Sequence, residues 1–192
     1  MVYIVLGVLG FIIVHFFDVV SLKRLPSGVK PCVWTAGSGL LVYSLVMLCL
    51  HSNTLPLSIW STWLGWGLLT FSLSLLIYSL FVNLPFRKTY VAAGVGDRLI
   101  KTGLYALVRH PGVMWFTLFM LSLILVSKST LLLIAAPIFI LLDTVLVIVQ
   151  DKYFFIRMFD GYINYQKQTP MLVPNRRSLN AFIRGLRPVR AK

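Results

Sequence analysis

Five long apolar runs, separated only by short turn-rich or basic stretches, constrain this chain more than any other feature of it. They lie at about residues 2–20, 33–50, 60–84, 113–126 and 131–149. A helix needs about 20 apolar residues to cross the hydrocarbon of a bilayer, and all but the fourth run approach that length. Ser127, Lys128, Ser129 and Thr130 follow the fourth at once, so it and the fifth are predicted to form a tight helical hairpin. Its tip would barely reach the far surface and would need support from neighbouring helices. The chain is 58% hydrophobic with a mean hydropathy of +0.87, well outside the range of a soluble domain. The expected fold class is therefore all-α: an integral membrane bundle of about five transmembrane helices with a cytosolic pocket.

The charges refine this. The chain carries 18 Lys and Arg against 5 Asp and no Glu, a net +13. On an independent soluble domain such an excess would point to nucleic acid, but here the cations sit in short loops and a tail. Attraction to anionic lipid head groups, with some cations kept for an anionic substrate or cofactor, is the better reading. Lys23, Arg24 and Lys30 separate runs one and two; Arg87, Lys88, Arg98, Lys101 and Arg109 separate three and four; residues 152–192 follow run five; only Lys128 falls on the other side. The positive-inside rule then puts the N-terminus outside and the C-terminus in the cytoplasm, in the plasma membrane for a bacterial protein. The first run has no basic segment ahead of it, so a retained anchor is expected rather than a signal peptide. Cys32 and Cys49 would lie about 25 Å apart on one helix, beyond disulfide reach, and neither a metal site nor redox chemistry is indicated.

One unit is expected: three spans over 1–84, a binding region with the hairpin over 85–174, and a basic tail over 175–192. Within it the junction Arg109, His110, Pro111 sets a cation and an imidazole against an apolar run, either as an interfacial anchor or as part of a site. Pro111 suits the first turn of a helix. Gly94, Val95, Gly96 and Asp97 read as a turn, since no predicted strand precedes them. Residues 150–167 read as a short amphipathic helix that Tyr162 and Tyr165 anchor at the interface. Asp143, inside run five, needs a partner or a polar cavity, with Asn83 or a serine of run three as candidate partners. His15 and Asp18 stand three apart on one helix face, where they could bond each other in a structural role. His51 is expected at the outer surface.

The run Leu99, Ile100, Lys101, Thr102, Gly103, Leu104, Tyr105, continuing to Arg109, His110 and Pro111, resembles the cofactor-binding stretch of the isoprenylcysteine carboxyl methyltransferases and related phospholipid methyltransferases. Tyr162, Tyr165, Pro170 and Pro174 match the spacing of that family's ending, so the likeness covers roughly 97–174. It implies S-adenosylmethionine held at the cytosolic surface, closed over by the segment after the last span, with a lipophilic acceptor entering from the bilayer. Tyr105, Arg109, His110, Pro111 and Tyr165 would line the cofactor pocket, and backbone near Leu99 and Leu107 would meet the adenine. Where the family carries an acidic pair, this chain has Gln150 and Asp151, one neutral acceptor and one charge. Asp97 replaces a histidine, and Gly112 and Trp115 imply a different acceptor pocket. Arg109 and Asp151 are the expected catalytic residues.

Methyl transfer suits such a chain on physical grounds. The protein must align donor and acceptor, exclude water and balance charge, which apolar walls with a few polar groups can do. A carboxylate or thiolate acceptor needs no base; a hydroxyl would, and His110 or Asp151 are the local candidates. The rivals are an NADPH-dependent membrane reductase of the sterol reductase type and a non-catalytic membrane scaffold.

Overall fold

Small residues let the first two helices approach closely. In the computed structural model, which describes residues 1–26, 28–95 and 98–186, α1 (Val2–Leu22) and α2 (Val29–Leu50) form an antiparallel pair. A Cβ on Gly37 would sit 2.6 Å from the Val14 backbone nitrogen, and one on Gly10 would sit 2.9 Å from that of Leu41. Glycine at both positions is what allows the backbones to pack, as is usual where apolar lipid supplies no drive for helices to associate. The Ser44 hydroxyl, fully buried, donates to the Tyr3 carbonyl at 2.6 Å.

The third run starts at an N-cap, Ser58, and forms α3 (Ile59–Ile77), which widens into a π-helical turn (Tyr78–Val82). A second π turn (Arg87–Val91) and the single-turn α4 (Leu104–Leu107) lie in the long loop that follows. Then come α5 (Pro111–Ser127), opened by Pro111, and α6 (Thr130–Val149), capped by Ser129. Past these the chain makes a π turn (Gln150–Phe154), α7 (Phe155–Met158), α8 (Tyr162–Gln168) and α9 (Arg176–Leu186).

This is a helical membrane bundle. Four helices are long and apolar enough to cross a membrane, and α5, at 17 residues, spans about 26 Å. The hairpin tip is supported as its shortness requires. The Ser129 hydroxyl donates to Leu48 O at 2.6 Å, Lys128 Nζ to Leu57 O at 3.0 Å, and an isolated antiparallel bridge joins Thr54 to Ser129. Lys128 turns the chain in the left-handed region, φ 53°.

Two expectations need correction. The fifth span does not stop at Val149 but runs without interruption to Met158, because Gln150 and Asp151 find partners inside the bundle rather than in water. Residues 150–167 are therefore not one amphipathic helix. The chain breaks at Phe159, and Gly161, at φ 75°, permits the reversal that starts α8.

The core gathers α1, α2, α5 and α6, and Phe11 packs against Phe116 and Phe139 with ring centroids 5.6 Å apart in each case. α3 packs along α5. Between α2 and α3 there is little contact among the described residues; at the end carrying the basic loops Trp34 of α2 meets Phe81 of the π turn that follows α3, at 5.9 Å. A slot lined by Val42 of α2 and Leu73 of α3 is left between them.

Candidate functional site

The segment that precedes α5 is locked by its own sequence. Gly103 adopts φ 61°, and a Cβ there would strike the Asn83 carboxamide. That close approach lets Asn83 Oδ1 accept from Leu104 N at 3.0 Å while Asn83 Nδ2 donates to Thr102 O at 3.3 Å. Asn83 is thus occupied here and is not the partner expected for Asp143. Tyr105 donates its hydroxyl to Ser79 O at 3.3 Å. Val108 then runs extended, and the next two amides pair with the strap after α8: Arg109 N donates to Pro170 O at 2.9 Å and His110 N to Met171 O at 3.2 Å. This pairing joins the two sequence blocks.

At that junction Asp151 gathers five donor groups. Arg109 forks onto it, Nε to Oδ1 and Nη2 to Oδ2, both at 2.8 Å. His110 Nε2 lies 3.1 Å from Oδ1, the Tyr162 hydroxyl donates to Oδ1 at 2.6 Å, and Gln166 Nε2 donates to Oδ2 at 3.0 Å. Arg109 Nη1 also donates to the carbonyls of Gln166 and Thr169. Asp151 and His110 are buried, 4% and 7% exposed, so Arg109 is fixed inside the fold and does not snorkel to water. A bidentate arginine with a carboxylate that has no free lone pair is the arrangement in which a buried ion pair offsets its desolvation.

The electrostatics follow. Burial works against the Arg109 cation, but the hydrogen bonds and charge of Asp151 outweigh it and raise its pKa. Burial lowers the His110 imidazole below its ordinary 6.5, against the opposing pull of Asp151, so the ring is neutral at pH 7. Since a carboxylate only accepts, Nε2 carries the proton and Nδ1 keeps its lone pair. Burial, then the bond to Asp151, push the Tyr162 phenol far above its usual range, and burial does the same for Tyr165.

A cavity of about 620 Å³ begins at this junction and runs between the helices, within the range of small-molecule sites. Of the residues expected from sequence, Leu99, Tyr105, Arg109, His110, Pro111, Gln150 and Tyr165 line it. Leu107 does not, and Asp151 lies behind Arg109 and Tyr162 instead of facing the space. Gln150 lines it but gives its Nε2 to Asp18 Oδ2 at 2.7 Å, leaving Oε1 as an acceptor. That bond replaces a pairing of Asp18 with His15, whose Nδ1 meets Phe11 O at 2.8 Å. Gly112 lines the cavity; Trp115 does not, packing edge-on against Phe71. His51 is exposed as expected, and Cys32 and Cys49 are free. Gly96, Asp97 and the end of the basic tail, 187–192, lie outside the described residues.

Four residues, Tyr162, Gln166, Thr169 and Lys30, were not expected to take part. Tyr162 and Tyr165 are core residues, each 2% exposed, rather than an interfacial belt; the Tyr165 hydroxyl donates to Tyr105 O. Gln166 and Thr169 carried no signal of their own beyond proximity to those tyrosines. Lys30, expected among lipid head groups, is 3% exposed; its Nζ donates to Gly94 O at 2.9 Å and sits over the Phe17 ring. Among the described residues no group of His, Cys, Asp or Glu is arranged to hold a metal ion.

No curated protein and no solved structure matches the chain. A protein-family comparison does match, over residues 32–169, which takes in the slot, the cavity wall from α2 to α8 and the whole Asp151 cluster. The chain therefore belongs to the family described as a protein of unknown function, DUF1295.

Proposed function

We propose that this protein is an S-adenosylmethionine-dependent membrane methyltransferase acting on a lipophilic acceptor, similar to the isoprenylcysteine carboxyl methyltransferases. The observation that supports this reading is the single cavity that joins the polar Arg109–His110 junction to the slot between α2 and α3, where Val42 and Leu73 both line the cavity and remain exposed on the apolar surface. A polar donor has access from one end and an apolar acceptor from the bilayer. The positive-inside distribution of cations supports a cytoplasmic position for the junction.

The residues present fit the cofactor. Leu99, Ile100, Phe155 and Phe159 offer an apolar wall for an adenosine, and Gln150 Oε1 offers an acceptor for an ammonium group. When bound, S-adenosylmethionine supplies a methyl group on a cationic sulfur, an electrophile that carries its own leaving group. What the chain contributes is alignment, exclusion of water and charge balance. Arg109 and Asp151 are positioning residues in this scheme: with every oxygen lone pair of Asp151 occupied, the pair fixes His110, Tyr162 and the strap at Pro170, and neutralises itself. Asp151 has no capacity left to act as a base. Of the two local candidates, His110, neutral and with Nδ1 free to accept, is the one able to orient or deprotonate a hydroxyl.

The test is binding of S-adenosylhomocysteine to protein in nanodiscs, comparing the natural chain with His110→Ala and Arg109→Ala. Each substitution is expected to weaken binding at least tenfold, about 1.4 kcal/mol. Unchanged affinity in variants whose unfolding curves remain cooperative would remove the assignment.

A further inference from the structure

Deeper in the cavity, away from the Asp151 cluster, two polar side chains of the spans, His15 of α1 and Asp143 of α6, line the wall. Phe11 touches Phe139, and seven residues beyond Phe11 the Asp18 carboxylate bonds Gln150, eleven beyond Phe139. α1 and α6 therefore run parallel here. His15 and Asp143 each stand one helical turn past the phenylalanine contact, within about one turn of the same level, and both line the cavity. Neither belongs to the cluster; Asp143 lies about 12 Å along the helix from Asp151.

His15 can only accept from a ligand here. A carbonyl oxygen only accepts, so His15 Nδ1 donates to Phe11 O and the neutral ring presents Nε2 as a lone pair. The Asp143 carboxyl has no hydrogen-bond partner among the described residues. A carboxyl in a membrane span that bonds nothing in its own protein is costly unless a ligand or cavity completes it. Phe119, Leu45 and the slot beyond provide apolar walls for a hydrocarbon tail.

We propose that His15 and Asp143 form the headgroup site of the acceptor, and that they select a hydrogen-bond-donating head, an amine or a hydroxyl, over a carboxylate. This rests on the reading that a lipophilic acceptor occupies the cavity, and narrows the acceptor class which that reading leaves open. An incoming carboxylate would leave the His15 lone pair unpaired and could be met only by a protonated Asp143, whereas an amine or hydroxyl donates to His15 and to Asp143 in either protonation state.

The experiment is calorimetric titration of the full chain in phosphatidylcholine nanodiscs, with empty nanodiscs subtracted, using dodecylamine, dodecanol and dodecanoate as probes and S-adenosylhomocysteine in parallel. Dodecylamine or dodecanol is expected to bind at least tenfold more tightly than dodecanoate. Asp143→Leu and His15→Phe should each remove that preference while S-adenosylhomocysteine affinity stays unchanged, which also shows the variants to be folded. Which of the two donor probes binds better assigns the head as amine or hydroxyl. Equal or tighter binding of dodecanoate, no saturable binding of any probe, or a preference that survives Asp143→Leu overturns the proposal. Silence from S-adenosylhomocysteine with the lipid preference intact would instead overturn the methyltransferase reading and leave the headgroup site standing, thermal unfolding then serving as the folding control.

Discussion

Replacing Asp151 with leucine tests whether the Arg109–Asp151 pair is a buried device or a surface ornament. The substitution leaves the Arg109 guanidinium, 9% exposed in its side chain, without its carboxylate, and strips an acceptor from His110, Tyr162 and Gln166. Breaking a buried pair from one side costs about 3–5 kcal/mol. Arg109→Leu should cost somewhat less, about 3 kcal/mol, because Asp151 keeps three donors. The double variant removes the stranded cation, so adding Arg109→Leu to Asp151→Leu should cost nothing further, which makes the coupling about 3 kcal/mol. Reversible unfolding in mixed micelles with sodium dodecyl sulfate, followed by tryptophan fluorescence, measures all four corners of the cycle. Costs that add to within about 0.5 kcal/mol would show the two residues to be independent, with Arg109 solvated at the interface and no buried pair.

Three further outcomes follow from other parts of the structure. Gly37→Ala places a methyl against the Val14 backbone, which cannot rotate away, and should destabilise the same unfolding transition by about 1–3 kcal/mol; Gly39→Ala, with open space around it, should not. The lowered His110 pKa means that below pH 6.5 the unfolded chain takes up a proton that the folded chain refuses; stability should fall as pH drops below that value, by at most about 1.4 kcal/mol per unit, and His110→Gln should flatten the dependence. In a Cys32→Ser, Cys49→Ser background, Arg176→Cys, exposed at the start of α9, should react with impermeant maleimide from the cytoplasmic side alone, and outside labelling would reverse the orientation.

The spans were legible because an apolar run near 20 residues admits one structure in a bilayer, and the hairpin tip because Ser127, Lys128, Ser129 and Thr130 interrupt it. The overrun of the fifth span was not. Gln150, Asp151 and Lys152 read as a polar stop, yet Gln150 and Asp151 are polar residues with partners: Asp18, 132 residues away in sequence, and Arg109, 42 away. Local spacing likewise suggested His15 with Asp18, and lost to a carbonyl one turn back and an amide from the far end of the chain. Arg109 and His110 stood out because charge beside an apolar run is rare. Tyr162 did not, since a tyrosine near a span end is usually an interfacial residue; only the reversal at Gly161 turns it inward onto Asp151. What sequence supplied was the residue types of the site; which atoms meet was set by long-range packing.

The junction cavity is expected to take an adenosyl cofactor. Calorimetric titration of folded protein in nanodiscs with S-adenosylmethionine and S-adenosylhomocysteine, and with NADPH in parallel, addresses it directly. Saturable binding of the adenosyl compounds with none of NADPH is the predicted result. Binding of NADPH instead would contradict it in favour of a membrane reductase, and silence from all three would contradict it in favour of a non-catalytic role.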